Sequence, residues 1–99
     1  MVKRVIWSPL AKIKRHEILE YWIKRNKSKT YSRKLNSLFK DAQNLISQYP
    51  EIGTPTDDPK VKQKLVRDYS LFYELTEDLI IILTVWDNRQ DPDKLTYSE

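Results

Sequence analysis

Cysteine is absent from this chain, glycine occurs once and histidine once. Without cysteine there is neither a disulfide framework nor a thiolate metal site. A single histidine, His16, cannot supply a histidine metal cluster, and nothing near it in sequence would orient it as a general base. No apolar run approaches the ~20 residues a membrane helix needs. The opening MVKRVIWSP lacks the apolar core of a signal peptide. These absences lead to an expectation of a cytoplasmic protein with no metal, no cofactor and no membrane partner.

Charge is plentiful and unevenly spread. Residues 1–34 hold eleven Lys or Arg against Glu17 and Glu20, a balance of +9. Residues 35–99 hold seven basic and twelve acidic side chains, a balance of −5. A basic face that includes Arg15 and Arg25 would attract a polyanion or an acidic partner. A solvated helix surface is the plain alternative. Ninety-nine residues allow one domain, 1–99, ending in a polar tail over 91–99.

The alternation of Val2–Trp7 predicts a strand. Ser8-Pro9 then combines a good N-cap with a proline at the first helical position, so a helix starts at once. It runs from Pro9 to about Asn26, with Ala11, Ile18 and Trp22 on one stripe. After a polar link to Lys29, Tyr31, Leu35, Leu38, Ala42, Leu45 and Tyr49 recur at helical spacing, with Phe39 and Ile46 widening the stripe. Pro50 ends this second helix. Residues 51–60 hold Gly53, Pro55 and Pro59 and read as a loop.

The remainder reads as three strands. Val61–Val66 is short and rich in lysine, and Arg67-Asp68 turns it into the next. Tyr69, Leu71, Tyr73 and Leu75 alternate with Ser70, Phe72, Glu74 and Thr76, as in a strand with one wetter side. Leu79–Trp86 is apolar on both faces except at Thr84, which suits a central strand. The predicted fold is α+β with the order β-α-α-β-β-β: an antiparallel helical hairpin on one face of a small, mostly antiparallel sheet. No helix remains for the other face. Phe72, Ile80, Ile82 and Trp86 are therefore candidates for an apolar surface completed by a partner segment.

That order, the opening VIWSPLA, the helix end YPEIG and the run VRDYSLFYELTEDLIIILTVWDNRQDP resemble the RelE/ParE superfamily of toxins from type II toxin–antitoxin modules. The likeness spans about residues 2–95 and lies in combined spacing, not in one motif. It implies a cognate antitoxin, short and acidic, that folds as it wraps the toxin. It also implies one of two activities. ParE-like members inhibit DNA gyrase and cut nothing. RelE-like members cut mRNA on the ribosome, using the ribose 2′-OH as nucleophile and cations to stabilise the charged transition state. For the RelE-like alternative the matching residues are Lys62, Lys64, Arg67, Arg89 and Tyr97. Ser70, however, stands where RelE-like members carry an arginine, and no histidine lies in the C-terminal part. The ParE-like activity is the favoured expectation. A plain nucleic-acid-binding domain using the basic helices is a third, weaker alternative.

Overall fold

A computed structural model describes residues 3–97. Strand β1 (Arg4–Trp7) leads through Ser8 into α1 (Pro9–Asn26) and α2 (Thr30–Gln48). Four strands follow: β2 (Thr54–Pro55), β3 (Val61–Val66), β4 (Tyr69–Leu75) and β5 (Leu79–Asp87). They form one sheet in the order β1-β5-β4-β3-β2, antiparallel except for the parallel β1–β5 pair. The predicted helical hairpin covers one face. The expected start of the first strand at Val2 lies outside the described residues, and the loop over 51–60 contains the two-residue strand β2. Among the described residues no helix is long and apolar enough to cross a membrane.

Ser8 ties the first crossover together. Its hydroxyl accepts from the Ala11 N–H at 3.1 Å, which caps α1, and donates to the Leu83 carbonyl at 2.8 Å. Its own N–H donates to the Ile82 carbonyl at 2.9 Å. The start of α1 is thereby fixed to the middle of β5, where the ladder with β4 slips. Phe72 stands opposite Thr84 while Tyr73 stands opposite Ile82, so Leu83 is an extra, bulged residue.

The bulge decides which side chains meet the helices. Upstream of it Ile80 and Ile82 share a face with Tyr73; downstream, Val85 and Asp87 take over that face, opposite Leu71 and Tyr69. All of Tyr69, Leu71, Tyr73, Ile80, Ile82 and Val85 are at most 3 % exposed, in a core with Trp7, Leu35, Phe39 and Ile46. Ile80 and Ile82 are therefore not on the uncovered face where the sequence pattern put them. Counting by twos joins Ile80 and Ile82 to Trp86, but the bulge flips the phase, and only Trp86 opposes Ser70 on the far side.

On α2 the fully buried residues are Leu35, Phe39 and Ile46, with Ala42 between them, whereas Tyr49 is exposed. The predicted stripe is thus rotated by about one position, and Leu38 and Leu45 flank the core. Gly53 is needed for space. Its N–H donates to the Tyr73 hydroxyl at 2.9 Å, which donates to the Pro50 carbonyl at 2.9 Å. A Cβ at Gly53 would sit 2.5 Å from that hydroxyl oxygen.

The polar tail has structure of its own. Asp91 accepts from the Asp93 N–H and caps a single 3-10 turn over Pro92–Lys94. The chain then brings Tyr97 onto Phe72, with ring centroids 5.5 Å apart. Phe72 is 5 % exposed as a result of packing on the far face.

Candidate functional site

Among the described residues, concave surfaces lie in three places around the sheet, each made by a different piece of the strand pattern. The first is a cleft of about 440 Å³ between α1 and the end of β5, lined by Lys14, Ile18, Tyr21, Tyr69, Asp87 and Arg89 among others. Here Asp87 holds Arg89 in a two-pronged grip: Nε donates to Oδ1 at 2.9 Å and Nη2 to Oδ2 at 2.8 Å. The Arg89 N–H donates to the same Oδ1 at 2.9 Å. Hydrogen bonding from Arg89 is the main cause that pulls the Asp87 carboxyl below its ordinary range, and the same pairing raises the guanidinium's affinity for its proton. Arg89 also lies 6.0 Å from the Trp22 ring centre. Trp22 in turn donates to the Tyr69 hydroxyl at 2.8 Å. Burial pushes the Tyr69 phenol upward, partly offset by that hydrogen bond.

The second surface is the open edge of β3. The two residues of β2 pair only with Lys62 and Gln63. Since Gln63 directs its backbone outward to β2, the pleat directs the Leu65 N–H and carbonyl the same way, beyond the end of β2. The Leu65 side chain is 61 % exposed. Beside it runs a mainly apolar groove of about 280 Å³, floored by Leu38, Ala42, Leu45 and Val66 and rimmed by Lys64, Arg67 and the carboxylate Asp41. Arg67 is the first residue of the β3–β4 turn and has φ 57°, the left-handed region usually left to glycine.

The third surface lies on the far face under the tail, a volume of about 630 Å³. Phe72, Trp86 and Tyr97 supply aromatic walls, and Gln63, Asn88 and Gln90 supply amides. Beneath them Gln63 donates to the Ser70 hydroxyl at 2.7 Å, and Ser70 donates to Asn88 Oδ1 at 2.9 Å. The charged residues in this lining are Asp57 and Asp93.

The residues singled out from the sequence do not converge. Lys62 and Lys64 oppose Tyr73 and Leu71 and so belong to the helix-side register, and Lys62 pairs with Glu51 at 3.2 Å. Arg67 sits in the turn. Arg89 is clamped beside α1, while Tyr97 lies on the opposite face of the sheet. Among the partner candidates, Phe72 and Trp86 line the far-face groove, and Ile80 and Ile82 are interior. Arg15 lies over the Trp7 ring at 4.3 Å, and Arg25 is exposed at the end of α1. Sequence reasoning missed Leu65 as a surface feature. The two-residue length of β2 exposes it, and no composition signal announces that length. Among the described residues no three His, Asp or Glu side chains gather as metal ligands.

Comparison with known proteins bears on this geometry. The family described as the ParE toxin of type II toxin–antitoxin system, parDE, matches residues 5–92. Among solved structures the chain is similar to one from the chromosomal ParDE toxin–antitoxin system of P. aeruginosa. That likeness has 15% identity and a TM-score of 0.75, over 85% of this chain and 94% of that one. It is also similar to a chain of the RelBE2 toxin–antitoxin complex from Mycobacterium tuberculosis, at 18% identity and a TM-score of 0.64, over 86% and 96%. At such identities the structural likeness is one of fold. No curated protein matches the sequence.

Proposed function

The chain belongs to the ParE toxin family of type II toxin–antitoxin systems, and we propose that it arrests growth by binding DNA gyrase in the cytoplasm without cutting nucleic acid. One observation carries the choice over the RelE-type alternative. At the position where RelE-like members use an arginine, this chain has Ser70, which is fully buried and engaged in the Gln63–Ser70–Asn88 hydrogen-bond chain. The cations Lys62, Lys64 and Arg89 face away from the surface that carries Tyr97. A phosphoryl-transfer site needs its cations preorganised around one phosphate, and each missing donor costs roughly 3–4 kcal/mol of transition-state stabilisation.

The test sets the two activities side by side. Purified toxin is added to gyrase supercoiling assays and to translating extracts with a defined mRNA. Loss of supercoiling with intact transcripts is the expected result. Untouched supercoiling at high excess, together with codon-specific cuts that Arg89→Ala abolishes, would transfer the protein to the RelE-type activity.

Its control partner is a cognate antitoxin, and the reading that fits the surface best seats an acidic antitoxin segment along the β3 edge. That edge offers unpaired backbone groups, an exposed leucine and an apolar groove whose rim carries two cations against one carboxylate, Asp41. Leu65→Asp removes the apolar contact and adds a repelling charge. It is expected to weaken antitoxin binding at least ~10-fold, about 1.4 kcal/mol, by calorimetry. Unchanged affinity for that variant alongside a loss for Trp86→Ala would move the antitoxin to the far face.

A further inference from the structure

The tip of the helical hairpin carries six cations between residues 24 and 34, Lys24, Arg25, Lys27, Lys29, Arg33 and Lys34, and no carboxylate. All six are exposed, and none takes part in an ion pair among the described residues. The first carboxylates beyond the tip along the chain are Glu20 and Asp41.

Two of these cations suit the end of α1, whereas Lys29, Arg33 and Lys34 crowd the positive end of α2. Lys24 and Arg25 occupy the last turn of α1, where cations complement the helix dipole. Lys29 occupies the N-cap of α2, makes no side-chain capping bond there, and is followed by a first turn without an acidic residue. Arg33 and Lys34 add positive charge just inside the same positive end. Folding alone would favour Ser, Thr, Asp or Asn at the cap and an acidic residue in the turn after it; here the Thr30 N–H is met by Ser28 Oγ at 3.2 Å instead. A helix start that lacks both its usual cap and its usual acidic residue, amid exposed cations, points to a function.

We propose that this tip is a docking surface for the phosphodiester backbone of a nucleic-acid duplex, held by charge without reading of bases. An acidic peptide would be a second kind of polyanion, but a segment that orders on binding must bury apolar groups to offset its lost entropy. The tip offers none. Its one aromatic residue, Tyr31, is engaged with Trp22 at 4.9 Å between ring centroids. A phosphate backbone needs only the cations, because release of condensed counterions drives the association. The inference stands apart from the choice of gyrase or ribosome as target.

The experiment compares two full-length variants that lose the same charge. One is Lys24→Gln, Arg25→Gln, Lys29→Gln, Arg33→Gln; the control is Lys12→Gln, Lys40→Gln, Lys60→Gln, Lys94→Gln. Matching melts by circular dichroism establish that both fold. Binding to a short DNA duplex, its RNA equivalent and polyglutamate is measured between roughly 50 and 200 mM salt. Wild type and control should show the same steep salt dependence on duplex. The tip variant should lose about 3–4 from that logarithmic slope and at least ~100-fold in affinity at the lowest salt. The stronger of the DNA and RNA arms identifies the source of the backbone. Equal losses in both variants, no loss in the tip variant, or polyglutamate bound as tightly as duplex would each overturn the proposal.

Discussion

The helix side and the far side of the sheet are built from alternate residues of the same strands, yet they are closed by different means. The helix side is sealed by two long helices, Ala11 of α1 and Leu35, Phe39 and Ile46 of α2 sharing one core with Tyr69, Leu71, Tyr73, Ile80, Ile82 and Val85. Among the described residues the far side is closed only by a 3-10 turn and Tyr97 laid over Phe72, with a groove left between them. The first arrangement buries enough apolar surface to hold the fold, and the second contributes a contact or two. The chain thus keeps its stability on one side and leaves its adaptable surface on the other.

The contrast can be broken by mutation, and the largest effect should come from the sealed side. Phe39→Ala is expected to cost about 3–5 kcal/mol in denaturant unfolding. A loss under ~1 kcal/mol would mean that the helices do not carry the core. Gly53→Ala comes next, at about 1–3 kcal/mol, because the new methyl collides with a Tyr73 hydroxyl already held by two backbone partners. Should Gly53→Ala melt like wild type, Tyr73 must be freer than its bonding suggests.

On the open side, Tyr97→Ala should cost only about 0.5–1.5 kcal/mol, with a rise in binding of an apolar dye as Phe72 is uncovered. A loss as large as that of Phe39→Ala would erase the distinction between the faces. Smallest is the Asp87–Arg89 pair, partly exposed and worth at most about 1 kcal/mol. Asp87 has a lower pKa folded than unfolded, so the unfolded chain takes up the proton first on acidification. The pair's contribution is therefore complete above the ordinary carboxyl value of 3.8 and is lost as pH falls through the folded value below it. Melting temperatures of wild type and Asp87→Asn should differ near neutrality and converge under strong acid; a constant gap would remove the pair from the account.

Much of this fold can be read from residue order because local signals agree. Ser8-Pro9 places the start of α1, Pro50 the end of α2, and Arg67-Asp68 the hairpin, and each acts through its own backbone chemistry. The misreadings share a different cause. On α2 two stripes of equal period overlap, and Phe39 against Leu38 is settled only by what the sheet presents. On β5 both faces are apolar, so hydropathy is silent about the slip at Leu83. At the candidate surfaces, the cations were legible as residue types, but their separation from Tyr97 by the thickness of the sheet was not. That separation depends on register, and register is a property of pairs of strands.

The bulge at Leu83 has one further effect. It divides β5 into two stretches that answer to different constraints, one before and one after a hinge of a single residue riveted by Ser8. Before it Ile80 and Ile82 must satisfy the interior while Ile81 looks to the far side. After it Trp86 can change size or polarity while its neighbour Val85 keeps the interior intact, so this one outward position is free to drift toward new binding specificities without renegotiating the fold.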